Sequence, residues 1–136
     1  MAQLHELPNR LFPDGRAVLA RFGYRPLDRL PADDEVDWAA LWDQLRGDFA
    51  THANPVVPSY DRLHGPAAAA ARDYMRHGLA ADLGLDRCEA LHVSLFADGI
   101  RTDRVEAYAE ARDAYEDSVE AFGAARTRLA ALLAAA

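Results

Sequence analysis

Lysine is missing from this sequence: all 15 basic residues are Arg, against 22 acidic residues. This bias, together with heavy use of Ala, is typical of a high-GC bacterium, so a single Arg is a weak functional signal. The net charge of -7 leaves no surplus of positive charge to neutralise a phosphate backbone. The composition therefore disfavours a nucleic-acid partner.

Cysteine occurs once, at Cys88, and long apolar runs do not occur at all. A lone cysteine can form neither an intramolecular disulfide nor a zinc site built from several cysteines. A membrane-spanning helix needs about 18 or more consecutive apolar residues, and no stretch reaches that length. We therefore expect a cytoplasmic protein without a membrane span, stabilised by the packing of its core.

The length of 136 residues suits one domain, and a hydrophobic content of 51% is enough for a single core. The patterns predict an all-α fold, a four- to five-helix bundle over residues 1–136. We divide it into an irregular N-terminal arm over 1–32, a helical core over 33–100 and a long C-terminal helix over 101–136. Prolines and glycines interrupt the arm too often for it to form a long helix. They are Pro8, Pro13, Gly15, Gly23, Pro26 and Pro31.

The first core helix is predicted from apolar residues spaced three and four apart behind three acidic residues at 33–35, which favour a helix N-terminus. We expect this helix to end near His52, because prolines follow it. Large aromatics at helical spacing can line a ligand pocket, but core packing is the more economical interpretation. The apolar stripe consists of Trp38, Leu41, Trp42, Leu45 and Phe49.

Two further core helices are predicted on either side of Gly84. Pro66 opens an Ala-rich helix over 67–82, and Gly84 stands where a C-cap is expected. Residues 88–96 alternate like a strand and also fit a helix; we assign a helix because a lone strand has no partner. A helix, a glycine turn and a second helix also resemble a helix-turn-helix, although the second helix carries acids where DNA phosphates would lie.

The C-terminal helix is predicted from Thr102 to Ala135 by the three-and-four spacing of a coiled-coil seam. Straight, it measures about 50 Å, whereas a compact domain of this size is only about 37 Å across. The helix would therefore protrude from its own domain unless it kinks at Gly123 or its end packs on a second subunit. We expect the second case, a homodimer through this helix. The seam consists of Val105, Tyr108, Arg112, Tyr115, Val119, Phe122, Arg126, Leu129 and Leu133.

Several histidines follow a carboxylate at helical spacing, which predicts candidate metal ligands. Glu89 precedes His92 by three residues, and Asp61 precedes His64 by three. Glu-x-x-His is the spacing that carboxylate-bridged di-iron sites use inside helix bundles. The competing interpretation is a set of solvated ion pairs on helix surfaces.

A second set of candidate residues, Arg72, Asp73 and His77, resembles the Arg-x4–6-His signature of the HEPN family of small helical-bundle ribonucleases. The resemblance covers six residues, and Arg87 with His92 has the same spacing. It implies a dimer in which the motifs meet at the interface. It also implies that Arg72 stabilises the scissile phosphate and that His77 takes part in acid–base transfer.

These patterns lead to one principal function and two alternatives. The principal prediction is a homodimeric binding or assembly module that works through its C-terminal helix, with a protein or small-molecule partner that the sequence does not name. The first alternative is a small enzyme, hydrolytic or metal-assisted, with catalytic residues His77, Arg72, Asp73 and His92. The second alternative is a helix-turn-helix regulator. No cofactor is indicated. Convergence of His77 and His92 on one cavity would favour the enzyme.

Overall fold

The computed structural model describes residues 29–95 and 102–135. Their α-helices are α1 (Trp38–Leu45), α2 (Pro66–Leu95) and α3 (Thr102–Ala135), and short 3₁₀ turns lie at Asp33–Glu35, Arg46–Phe49 and Tyr60–Arg62. Within these ranges there is no strand. The all-α prediction is confirmed, but three α-helices are found in the described residues where four to five were expected. Most of the predicted N-terminal arm, residues 1–28, lies outside the described residues.

The two long helices form an antiparallel hairpin. Tyr74 near the start of α2 stacks on Phe122 of α3, with ring centroids 4.7 Å apart, while His92 near the end of α2 lies 5.8 Å from Tyr108. At 1.5 Å per residue, α2 is about 45 Å long and α3 about 51 Å. The length of α3 is therefore matched by a helix of the same chain. The length of α3 therefore does not by itself require a second subunit, and the homodimer stays a prediction.

The seam of α3 is used inside this hairpin. Tyr115, Phe122, Leu129 and Leu133 are buried, and Phe122 and Leu129 belong to the same apolar core as α1 and α2. The helix runs through Gly123 without a break. Neither a kink nor another subunit is needed to bury these four residues, because they pack in the core between the helices of one chain.

Gly84 is not a helix end, which corrects the predicted division at 82–88. Residues 66–95 form one continuous helix, so the separate helices predicted on either side of Gly84 are one, and the turn of a helix-turn-helix is absent. A glycine is needed at position 84 because of a residue on α3. A Cβ at Gly84 would stand 3.2 Å from Cδ1 of Tyr115 and 3.3 Å from its Cα. Gly84 therefore permits the close approach of α3, whereas Gly65, directly before α2, has φ +58° and does serve as a backbone turn.

The predicted apolar stripe on and after α1 is confirmed as core. All five of its residues are buried, and both tryptophans donate their indole N–H to backbone carbonyls, Trp38 to Asp33 at 3.0 Å and Trp42 to Pro58 at 2.9 Å. Asp37 caps α1 by accepting from the backbone N–H of Ala40 at 3.1 Å. These bonds hold the segment 33–63 together, and its buried stripe shares one apolar core with α2 and α3 at the open end of the hairpin.

None of the described helices is long and apolar enough to cross a membrane.

Candidate functional site

An open cleft of about 300 Å³ lies between α2 and α3 in the half of the hairpin near the start of α2. Its floor is alanine from both helices, and small side chains on facing helices leave a groove where larger ones would meet. Its rim carries the charged and titratable groups Asp73, His77 and Arg128. The floor consists of Ala70, Ala121, Ala124 and Ala125.

The helical repeat explains why these residues meet. On α2, Ala70, Asp73 and His77 are separated by three and four residues and therefore lie on one face of the helix. On α3, Ala121, Ala125 and Arg128 have the same spacing, on the flank beside the buried seam. The antiparallel pairing brings the two faces side by side.

The rim groups have no partners within the described part of the chain. Asp73, His77 and Arg128 make no hydrogen bond or ion pair with any residue of 29–95 or 102–135. Asp73 and His77 are half-buried, and Arg128 is exposed. A carboxylate, an imidazole and a guanidinium at one cleft can together bind a partner that carries charges of both signs.

Arg72 lies outside this cleft, although the sequence resemblance groups it with His77. Its Nε donates to the hydroxyl of Tyr60 at 2.9 Å, and its guanidinium lies 4.6 Å from the centre of the Trp38 ring. The neighbouring Arg76 pairs with Asp33 on the same side of α2. These arginines fasten the segment 33–63 to α2. The structure brings His77 and Asp73 together at the cleft and does not bring Arg72 to them.

The predicted metal ligands are not brought together either. His64 precedes α2, whereas Glu89 and His92 lie near its end, and the helix between them spans about 35 Å. Asp61 accepts a hydrogen bond from Ser59 at 2.7 Å, which lowers the pKa of the Asp61 carboxyl. In the residues that the structure describes, no group of three or more His, Cys, Asp and Glu side chains is arranged to hold a metal ion.

His92 and the lone cysteine are separate from the cleft as well. Along α2, His77 and His92 stand about 22 Å apart, so they do not converge on one cavity. His92 is exposed, with its ring beside that of Tyr108. Cys88 is buried, and burial raises the pKa of its thiol, which disfavours the reactive thiolate.

Arg128 and the alanine floor are the parts of the site that sequence reasoning missed. The seam of α3 was treated as the working surface, and the residues on its flank were not considered. Their signal was present in the spacing of Ala121, Ala125 and Arg128, but it becomes informative only when α2 is known to lie beside that flank.

Comparisons with protein-family models, with curated proteins and with solved structures found nothing that matches this chain.

Proposed function

We propose that this protein is a non-catalytic binding or assembly module whose binding surface is the cleft between α2 and α3. One observation carries the proposal: Asp73, His77 and Arg128, which have no hydrogen-bond or ion-pair partner among the described residues, surround an alanine floor. Charged side chains at a concave apolar surface are typical of recognition sites, because the apolar floor supplies contact area and the charges supply orientation. We assign the protein to the cytoplasm, and its single free, buried thiol suits a reducing compartment.

The arrangement favours binding over the catalytic alternatives. An enzyme built on Arg72, His77 and His92 would need these groups at one substrate, and they occupy three different places on α2. Of these three groups, only His77 lines the cleft.

Filling the cleft tests the proposal. Ala124→Trp places a large ring on the exposed edge of the floor, and Ala130→Trp is the matched control because Ala130 is equally exposed on α3 but outside the cleft. Circular dichroism checks that both variants keep the helical fold.

Native mass spectrometry then supplies the measurement. We expect the wild-type protein and Ala130→Trp to carry added mass, a second subunit or a retained small molecule, and Ala124→Trp to be a bare single chain. A bare single chain for the wild-type protein contradicts the proposal, and so does an Ala124→Trp variant that keeps the added mass.

Hydrolysis is the second candidate function, favoured by the imidazole of His77 standing at one cleft with a carboxylate and a guanidinium. A labelled RNA oligonucleotide incubated with the wild-type protein and with His77→Ala tests it. Cleavage that His77→Ala abolishes would replace the binding proposal by an enzymatic one. We expect no cleavage that depends on His77.

A further inference from the structure

The charges along the cleft face of the hairpin follow opposite orders on the two helices. Steps of three and four residues along α2 lead from Asp73 through His77 to Arg87. Steps of three and four along α3 lead from Arg128 through Ala121 to Asp113. Going along the hairpin from the cleft toward the end of α2, the charge on α2 is first acidic and then basic. Over the same length, the charge on α3 is first basic and then acidic.

The hairpin register places unlike charges at the same level. Tyr115 packs against Gly84, so Arg87, three residues further on, is level with Asp113 to within about one turn. Tyr74 stacks on Phe122, which puts Asp73 within about two turns of Arg128, and both line the cleft. Nevertheless, neither Arg87 nor Asp113 forms an ion pair with any residue in the described ranges. Among the residues that the structure describes, these four charges therefore have no ion-pair partner.

We infer that the partner bound at this cleft is a second copy of the chain, an inference that rests on the proposed function. A two-fold axis parallel to the hairpin lays α2 of one subunit across α3 of the other at the same level. Asp73 then faces Arg128 of the partner subunit, and Arg87 faces Asp113 of the partner subunit, each pair occurring twice. The product is an antiparallel four-helix bundle.

The charges at the cleft favour this arrangement over a face-to-face dimer whose two-fold axis passes through the cleft itself. A two-fold axis perpendicular to the hairpin and centred on the cleft lays α2 on α2 and α3 on α3. It sets Asp73 against Asp73 of the partner subunit and Arg128 against Arg128 of the partner subunit. Like charges in direct contact oppose association, so the axis parallel to the helices is favoured.

The size of the hairpin face is sufficient for a stable dimer. Two helices side by side, each about 10 Å across, over a length of about 45 Å present a face of about 900 Å². A stable interface buries about 800 Å² on each partner. The cleft alone is much smaller, so the proposed interface extends along the hairpin from the cleft to Arg87 and Asp113.

Charge reversal in mixed variants tests the pairing. Asp73→Arg alone and Arg128→Asp alone each set like charges together twice in a dimer, and each is expected to raise the dimer dissociation constant at least about tenfold. Mixing the two variants makes both contacts complementary again. We expect native mass spectrometry of the mixture to show the mixed dimer far above either variant paired with itself. Asp34→Arg, a reversal at an exposed residue that belongs to neither α2 nor α3 and does not line the cleft, is the control and leaves dimerisation unchanged.

The outcomes separate this inference from the proposed function. The proposed pairing of Asp73 with Arg128 of the partner subunit is overturned if either single charge-reversal variant dimerises as tightly as the wild-type protein. It is also overturned if the mixture shows no preference for the mixed dimer. A wild-type single chain that retains a small molecule lost in Ala124→Trp overturns the second-copy inference and leaves the binding cleft standing. A bare wild-type single chain overturns both.

Discussion

Tyr74 supplies the most quantitative test of the packing described above. Its ring lies between Phe49, at a centroid distance of 5.0 Å, and Phe122, at 4.7 Å, and the residue is fully buried. Its hydroxyl has no hydrogen-bond partner within the described ranges. Burial, reinforced by the negative charge of Asp48 and opposed by Arg126, raises the pKa of Tyr74 from 10.0 to about 12.

This shift predicts a loss of stability in alkaline solution. The unfolded chain loses the Tyr74 proton at about pH 10, whereas the folded chain keeps it until about pH 12. The stabilisation is therefore fully present below pH 10 and falls by about 1.4 kcal/mol for each pH unit above it. By pH 12 the loss amounts to about 3 kcal/mol.

Tyr74→Phe isolates this effect, because it keeps both ring contacts and removes the proton. Urea unfolding followed by circular dichroism at pH 8 and pH 11.5 measures it. The wild-type protein is expected to lose about 2 kcal/mol more than the variant between these pH values. At pH 8 the variant should be at least as stable, since it buries no unsatisfied hydroxyl. Equal pH dependence in the two proteins would refute the reasoning.

Further variants test the helix contacts by thermal or urea unfolding. Gly123→Ala, with nothing within 4 Å of the new Cβ, should stabilise the protein by about 0.5–1 kcal/mol, while Gly84→Ala should gain less or destabilise because Tyr115 stands 3.2 Å away. A larger gain at Gly84 would contradict the close approach of α3. Trp42→Ala should cost about 3–5 kcal/mol, since it empties a fully buried site; a loss below 1 kcal/mol would show that the ring is not in the core. Arg72→Ala should cost about 1–2 kcal/mol through its contacts with Trp38 and Tyr60; unchanged stability would argue against a fastening role.

Local patterns were sufficient for the parts of the fold that depend on one helix at a time. The stripe from Trp38 to Phe49 is buried as its spacing predicted, and α3 has the predicted bounds, because a long period-3.6 pattern identifies both the element and its buried face. The second half of α2 was harder to predict from the sequence. A glycine after an Ala-rich helix fits both a cap and a close contact, and only Tyr115, distant in sequence, decides between them.

The candidate site was predictable in part. Asp73 and His77 share a face because they are four residues apart, and both line the cleft. Arg72 and His77 are five residues apart, which turns their side chains about 140° from each other on a helix, so their separation follows from the helical period. Arg128 was not predictable, because its place at the cleft depends on the register between α2 and α3.

Sedimentation equilibrium of the wild-type protein measures whether a second copy binds at the cleft. We expect a particle of twice the subunit mass of 14.9 kDa, reduced to one subunit mass when Ala124→Trp fills the cleft. A wild-type particle of a single subunit mass at every concentration loaded, or a dimer unaffected by Ala124→Trp, would contradict it.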